Sequence, residues 1–158
     1  MKQAITGSWV YVIVLIFMVI MIAYVAISIN YSRAFELSEN IIKEIEMQEG
    51  FNDKSRKNIA ILFKQHNTTV KHGCGNDPKN DMIYYGVNVA GSNIAENDDS
   101  KKYDYCVARS DVTISGTTKY YYSTKVFFSF SLPVLGDLFA FTIPGETSGL
   151  VYIYDDTF

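Results

Sequence analysis

Four side chains in this sequence have the chemistry of metal ligands or nucleophiles: His66, His72, Cys74 and Cys106. The spacing His72-Gly73-Cys74 is tighter than in usual zinc sites, and the chain has no Cys-x-x-Cys pair. Either histidine would be the base that a Cys74 nucleophile requires. In an exported domain, however, two cysteines most often pair with each other. A Cys74–Cys106 disulfide would close a loop of about 31 residues and contribute about 3 kcal/mol. We therefore expect this disulfide and no metal site.

The acidic segment offers a second kind of site. Asp98, Asp99 and Asp104 have the oxygen ligands that calcium prefers, but the alternating Asp-x-Asp-x-Asp-Gly pattern is absent, which favours a solvated acidic loop. The chain also has no Gly-x-Ser-x-Gly, phosphate loop, His-Glu-x-x-His or dinucleotide fingerprint. The sequence thus predicts a protein that is not an enzyme and that uses no cofactor.

A run without charge, Trp9 to Ile29, lies close to the N-terminus. As a helix it is long enough to cross a bilayer core of about 30 Å. It exceeds the apolar region of about 7–15 residues of a signal peptide and lacks an Ala-x-Ala site, which favours a lasting anchor. Lys2 precedes the run, and Arg33 and Lys43 follow it, so the charge bias is nearly balanced. The short N-terminal stub and the predicted disulfide favour a C-terminal domain outside the cytoplasm.

The portion after the anchor has the length of one domain. All 17 acidic residues and 13 of the 14 basic residues lie in it, so it carries a net charge of −4. A mildly acidic domain without a basic cluster is not expected to bind nucleic acid. The 12 tyrosines and 10 phenylalanines, most of them in the second half, favour strands there.

Helical periodicity continues past the apolar run. We expect one helix from Ser8 to Glu49, about 60 Å long, with Gly50 as its C-cap. A second helix is expected from Asn52 or Asp53 to about His66. The apolar face of the long helix, which should pack on the domain, recurs at three- and four-residue spacing and comprises Tyr31, Ala34, Phe35, Ser38, Ile41, Ile42 and Ile45.

The second half of the chain carries strand signals separated by turn residues. A turn is expected at Gly116-Thr117, and the strand that follows alternates clearly between apolar and polar side chains. The predicted strands are Met82 to Val89, Tyr103 to Ala108, Val112 to Ser115, Lys119 to Leu132 and a closing strand from Gly149 to Tyr154. The predicted fold class is therefore α+β, in which a long transmembrane and amphipathic helix packs on a small antiparallel sheet. Its parts are a stub or leader (1–7), a transmembrane helix (8–29), the helix extension with the second helix (30–66) and a β-rich extracytoplasmic domain (67–158).

The segment from Leu132 to Phe141 is too apolar for an ordinary surface loop. One interpretation is a loop folded back into the core, or a short helical turn from Leu135 to Phe139. The other is an interface with a partner subunit or with the membrane surface, since exposed apolar patches mark interfaces. The residues of this candidate interface turn are Pro133, Leu135, Leu138, Phe139 and Phe141.

An N-terminal transmembrane helix that continues as an amphipathic helix into a small cysteine-bridged sheet resembles type IV pilins and pseudopilins. The C-terminal segment SLPVLGDLFAFTIPGETSGLVYIY resembles the ending of TadE/TadG-like proteins of tight-adherence (Flp) pilus and secretion systems. The segment from Ile29 to Glu49 is similar to their membrane-proximal helix. The resemblance covers both ends of the chain and leaves roughly Phe51 to Tyr122 unmatched.

That resemblance implies a leader peptide, for which Gly7-Ser8 is the candidate cleavage site. The fifth residue after the cut would be Val12, where prepilins usually have Glu. Because that Glu registers subunits in a filament, its replacement favours a minor or tip subunit, or a lasting membrane-anchored assembly factor.

Two functional hypotheses follow. The first is a non-enzymatic, membrane-anchored, pilin-like (TadE-like) subunit or assembly factor in a bacterial cytoplasmic membrane. Its partners would be membrane lipid, other pilin-like subunits and assembly-platform proteins, with incorporation in a surface filament as one outcome. A change at Ile41 or Ile45 should then abolish co-purification with partners. The second is a single-pass ligand-binding or sensor ectodomain, with Tyr84, Tyr120 and Tyr122 lining a pocket.

Overall fold

A computed structural model of the chain describes residues 2–65, 69–75, 82–90, 94–96, 101–132 and 136–153, without the side chains of 2–8, 94–96, 130–132 and 136–140. Two helices precede five strands. They are α1 (Lys2–Met47), α2 (Asp53–Gln65), β1 (Tyr84–Val87), β2 (Ile94–Glu96), β3 (Tyr105–Ile114), β4 (Thr117–Leu132) and β5 (Gly136–Glu146).

The strands form one sheet in the order β2-β1-β3-β4-β5, and every neighbouring pair is antiparallel. The C-terminal half of α1 and helix α2 cover one face of this sheet. Residues around Cys74 cover the opposite face near β1, β3 and β4. The predicted α+β class is confirmed, because a long apolar N-terminal helix does pack on a small antiparallel sheet.

The core between helix and sheet is built from aliphatic residues of the helices and aromatic residues of the strands. Leu37, Ile41 and Ile45 of α1 are fully buried. They share one cluster with residues of α2, β3, β4 and β5, including Ile59, Phe63, Tyr105, Tyr122, Val126, Phe128 and Ile143. Burying each such aliphatic side chain stabilises the fold by about 1.5–3 kcal/mol, so this contact fixes where α1 lies.

Helix α1 ends in a Schellman motif. The Gly50 amide donates to the Ile45 carbonyl at 3.0 Å, and the Glu49 amide donates to the Glu46 carbonyl at 3.1 Å. The residue in the left-handed conformation is Glu49, with φ of 54°. The sequence correctly predicts that the helix stops here, but the left-handed position lies one residue before the expected glycine.

Helix α2 begins with a reciprocal cap. The Asn52 side chain accepts hydrogen bonds from the amides of Lys54 and Ser55, at 3.1 and 3.0 Å. In return, the Asn52 amide donates to the Ser55 hydroxyl at 3.0 Å. Both residues are buried, so the cap satisfies amides that the interior would otherwise leave unpaired. The expected start of this helix is confirmed.

Three strand predictions need correction. The predicted strands Tyr103–Ala108 and Val112–Ser115 are one strand, β3, because the long β4 pairs with it without interruption. The β3–β4 turn is Ser115-Gly116, where both φ angles are positive (52° and 83°), as a two-residue type I′ hairpin requires. Of the predicted closing strand Gly149 to Tyr154, the described residues 149–153 make only an isolated bridge, between Leu150 and Tyr120, and Tyr154 lies outside the described residues.

The apolar segment after β4 is the largest correction. Residues 136–146 are neither a loop nor a helical turn but strand β5, which pairs with β4 from Leu132↔Gly136 to Ser123↔Glu146. β5 is the last strand in the sheet order, where Pro144 is tolerated because an edge strand does not need every amide.

Candidate membrane anchor and its junction with the sheet

The N-terminal half of α1 is the one helix in the described part of the chain that is long and apolar enough to cross a membrane. Large apolar side chains lie exposed on every side of it, from Trp9 (68%) to Ile29 (50%). Water does not stabilise such a surface, so this half requires an apolar environment. The candidate cleavage site Gly7-Ser8 lies within the first turns of the same helix.

Full burial begins at Ala34, after Ala23, Ala26 and Asn30 are half-buried. From there, residues at three- and four-residue spacing are buried on the sheet: Ala34, Leu37, Ser38, Ile41 and Ile45. Thus the predicted packing of this helical face on the domain is confirmed for Ile41 and Ile45.

The rest of the predicted packing face lies beside that contact. Ile42 is half-buried, whereas Tyr31 (54%) and Phe35 (47%) are exposed. Because Ile41 and Ile45 are enclosed by the protein's own sheet, they cannot contact a partner. A change there would destabilise the domain itself, so loss of partners from an Ile41 or Ile45 variant would not separate assembly through α1 from unfolding.

Three aromatic rings connect the anchor to the sheet where α1 changes from exposed to buried. The Tyr31 ring stacks on Phe141 of β5 with centroids 6.1 Å apart. Phe141 in turn stacks on Phe128 of β4 at 5.8 Å. Aromatic pairs in this range add about 0.5–1.5 kcal/mol beyond burial, so the junction resists separation of helix and strand.

In the next part of the junction, the side chain of Ile42 closely approaches the backbone of β5. A Cβ atom added to Gly145 of β5 would lie 2.3 Å from Cδ1 of Ile42, 2.9 Å from Oγ1 of Thr124 on β4 and 3.0 Å from Oγ of Ser38. Glycine therefore lets α1 sit directly on β5.

At the end of the junction farthest from the anchor, a polar contact joins α1 to the residues that follow β5. The amide and the hydroxyl of Ser148 both donate to Oε1 of Glu46, each at 2.7 Å, across 102 residues of sequence. No local sequence pattern indicates Gly145 or this contact, because the residues that meet here lie so far apart in the chain.

The opposite face of the sheet is held by the disulfide. Cys74 and Cys106 are bonded, as predicted. Lys125 donates to the Cys74 carbonyl at 3.3 Å and lies 3.7 Å from the centroid of the Tyr84 ring. A Cβ added to Gly86 would meet the Tyr103 ring at 2.3 Å, so that ring lies flat on the strand.

The disulfide removes the two sulfurs from any other chemistry. With both cysteines oxidised, neither is a thiolate ligand or a nucleophile. His72 is exposed, and its ring nitrogen lies 3.1 Å from the Gly73 carbonyl. His66 lies outside the described residues. Within the described ranges, no group of three or more His, Cys, Asp or Glu side chains is arranged to hold a metal.

Of the calcium candidates, Asp98 and Asp99 lie outside the described residues. Asp104 is half-buried and accepts a hydrogen bond from the Val89 amide at 2.8 Å. Its carboxylate also lies 3.3 Å from the Lys71 ammonium. Asp104 thus joins β1, β3 and the 69–75 segment, which is a structural role.

The tyrosines proposed for a ligand pocket do not meet. Tyr122 is buried beneath α1 and Tyr120 packs beside it, whereas Tyr84 belongs to the disulfide cluster on the other face. Instead, a cleft beside α2 is lined by Arg56, Ala60, Val87, Asn88, Val89 and Tyr105. Its volume of about 10 Å³ is that of about one water molecule.

Tyr105, at this cleft, packs against Phe63 with centroids 5.1 Å apart and edge-on to Phe51 at 6.3 Å. Burial raises the pKa of the Tyr105 phenol above its usual range, and the nearby Arg56 charge opposes that rise only in part. A phenol with a raised pKa stays neutral at physiological pH, which suits a core residue.

Most of the predicted interface turn lies at the end of the sheet next to the anchor. Pro133 and Leu135 lie outside the described residues. Leu138 and Phe139 belong to strand β5, and Phe141 is half-buried in the aromatic junction.

No family model, curated protein or solved structure matches this chain.

Proposed function

We propose that this protein is a non-enzymatic, single-pass subunit or assembly factor of a pilin-like (TadE-like) envelope system, anchored in a bacterial cytoplasmic membrane by α1. The α+β domain would lie outside the cytoplasm. The observation that carries the proposal is the division of α1 into an exposed apolar half and a half packed on an antiparallel sheet.

The disulfide supports the proposed location of the domain outside the cytoplasm. A Cys74–Cys106 bond persists in oxidising surroundings such as the periplasm or the cell surface. The same bond supports a non-enzymatic role, because it consumes the one cysteine that the sequence offered as a nucleophile.

Assembly through the helix is supported by Phe35. This ring is 47% exposed just beyond the apolar run, on a side of α1 that the domain leaves uncovered. An exposed aromatic residue next to a membrane anchor suits helix packing with another subunit.

The first test is the intact mass of the protein extracted from its native membrane, with and without reductant before alkylation. Loss of Met1 to Gly7 is expected for a processed pilin-like subunit, and an intact N-terminus for a permanent assembly factor. Thiols that alkylate only after reduction are expected for a domain outside the cytoplasm. Thiols that are free from the start would contradict that location.

The second test is co-purification of partners with a Phe35→Ala variant. We expect partners to be lost while thermal unfolding of the domain is unchanged. Ile61→Ala is the matched control, because Ile61 is a similarly exposed apolar residue (54%) on α2, away from the anchor. Equal partner recovery from both variants would count against assembly through α1.

A further inference from the structure

The two strands that leave the aromatic junction form an apolar ribbon. We call residues 129–132 of β4 and 136–141 of β5 the proximal hairpin. The chain from Phe130 to Phe141 reads FSLPVLGDLFAF, in which Asp137 is the one charged residue. The register pairs Phe130 with Phe139 and Leu132 with Gly136. Pro133 to Leu135, between the strands, lie outside the described residues.

Three contacts show that β5 and α1 run side by side in the same direction. Tyr31 meets Phe141, Ile42 meets Gly145, and Glu46 meets Ser148. From Tyr31 to Glu46 the helix advances about 22 Å. From Phe141 to Ser148 the strand path advances about 23 Å. Helix and strand are therefore close to parallel along this whole stretch.

This alignment fixes where the proximal hairpin leads. Gly136 lies five residues before Phe141. Along the strand this places it about 16 Å from Phe141, in the direction of the N-terminal half of α1. The same distance on α1 is about 11 residues, which leads from Tyr31 back to about residue 20. The proximal hairpin is thus level with the apolar half of α1, on the membrane side of the first charged residue after the run, Arg33.

The proximal hairpin also lacks a third strand in the described part of the chain. β3 begins at Tyr105, opposite Val126, and the 69–75 segment reaches only as far as Phe128, through a bridge to Thr69. An isolated two-stranded ribbon is marginally stable in water. An apolar ribbon of this kind therefore requires a covering medium.

The opposite end of the same sheet shows what a water-facing hairpin looks like here. Strands β3 and β4 meet there in the polar turn Ser115-Gly116, flanked by Thr113, Thr117 and Thr118 and by the exposed side chains of Val112 and Ile114. Polarity along the sheet thus increases in the direction in which α1 changes from apolar to charged. The change in polarity along the sheet and the change along α1 are both consistent with one membrane surface that crosses the helix and the sheet at the same level.

We propose that the proximal hairpin inserts into the lipid leaflet from which α1 emerges, as a second membrane contact beside the anchor. The inference depends on the membrane anchoring proposed above. A straight ribbon would bring Gly136 level with the middle of the apolar run, but the register shift between Phe130 and Ser131 marks a bulge, at which strands bend. Insertion is shallow, near the headgroups, because β5 is an edge strand and its backbone groups need partners that hydrocarbon does not offer. Asp137 has the same requirement.

Lipid quenching of single tryptophans tests this proposal on the full-length protein. Trp9 is the only native tryptophan, so Trp9→Phe gives a silent background. Reporters are placed one at a time in the proximal hairpin (Phe139→Trp, with Leu138→Trp as a second), the distal hairpin (Ile114→Trp) and the anchor (Ile20→Trp). Each variant is reconstituted in phosphatidylcholine–phosphatidylglycerol vesicles that contain lipids brominated at a shallow or a deep acyl position, and near-ultraviolet circular dichroism verifies the fold.

We expect the Ile20 reporter to be quenched by bromolipids, the Phe139 and Leu138 reporters to be quenched mainly by the shallow label, and the Ile114 reporter only by aqueous acrylamide. If the proximal reporters respond to acrylamide as Ile114 does, lipid insertion is wrong while the anchor stands. If they are shielded from both quenchers, a second copy or another protein covers the hairpin, which also overturns the proposal. If bromolipids fail to quench even the Ile20 reporter, the proposed anchoring itself fails.

Discussion

The two halves of α1 are equally helical, yet only one contributes to the stability of the domain. Ile22 and Ile45 have the same side chain, but Ile22 is 68% exposed and Ile45 is fully buried. The N-terminal half is apolar on all sides, so no side is selected for contact. The C-terminal half is apolar on a stripe, and that stripe selects the sheet. Helix formation and domain packing are thus separate properties of this sequence.

The difference also explains why the junction between the halves is built from backbone contact and aromatic rings. Where α1 emerges from its apolar half, the Tyr31–Phe141 stack stabilises the contact with the sheet, and Gly145 lets Ile42 approach β5 directly. Because the exposed half of α1 extends far beyond the domain, the contacts at this point determine the angle between the helix and the sheet.

Matched truncations should separate the two halves most strongly. Ile45→Ala is expected to lower the free energy of unfolding by about 2–5 kcal/mol, because it leaves a cavity in the core. Ile22→Ala, in the exposed half, should change it by less than about 0.5 kcal/mol. Urea unfolding in detergent micelles, followed by the near-ultraviolet dichroism of the tyrosines, measures both. Equal losses would contradict the division of α1.

The junction should respond to a single methyl group. Gly145→Ala is expected to cost about 1–3 kcal/mol, because the new Cβ would overlap Cδ1 of Ile42. In an Ile42→Ala background the same change should cost less, since that overlap is gone and only the close contacts with Oγ1 of Thr124 and Oγ of Ser38 remain. A double-mutant cycle of unfolding free energies gives the coupling. Additive costs would show that Ile42 is not what Gly145 accommodates.

The sequence located most of the buried stripe of α1, but the predicted face included exposed or half-buried residues and left out Leu37, which is fully buried. Periodicity places Tyr31, Phe35 and Ile42 beside Ile41 and Ile45, since all recur within about a third of a helical turn's surface. Which part of the helix surface is buried depends on how the sheet meets it, and the buried residues of α1 share one cluster with residues of β3, β4 and β5. Periodicity carries no information on that placement.

The sequence failed most clearly at β5. This segment contains Pro144 and no clear alternation, so strand signals are weak, and its pairing comes from β4 rather than from its own propensity. The Gly149–Tyr154 segment has the opposite property: its residues favour a strand, yet among its described residues, 149–153, only Leu150 forms a bridge. For these two segments, pairing with the neighbouring strand, and not intrinsic strand propensity, determined whether a strand formed. The disulfide was predictable because two cysteines in an exported domain leave one pairing.

The end of the buried half offers a smaller test that should increase stability. Glu49 occupies the left-handed position of the Schellman motif, which costs a residue with a Cβ about 1–2 kcal/mol. Glu49→Gly is expected to stabilise the domain by about 1 kcal/mol, after the entropy cost of glycine. Glu49→Ala removes the same carboxylate but keeps the Cβ, so it should bring no gain. A gain of equal size from alanine would instead identify the charge as the cause.

The smallest expected effect is a pH dependence confined to the core beneath the buried half. Burial raises the pKa of Tyr105 in the folded state, while the unfolded chain releases this proton near its ordinary pKa of about 10. Above that pH the folded state binds more protons than the unfolded state, so stability falls as pH rises. The stability difference between the native protein and a Tyr105→Phe variant should therefore be constant below pH 9 and shift against the native protein above pH 10. Unfolding at several alkaline pH values measures it, and the disulfide tolerates these conditions because no free thiol is present to attack it. Parallel pH profiles for the two proteins would mean that the Tyr105 hydroxyl reaches solvent, and that the core under α1 is more open than its packing against Phe51 and Phe63 indicates.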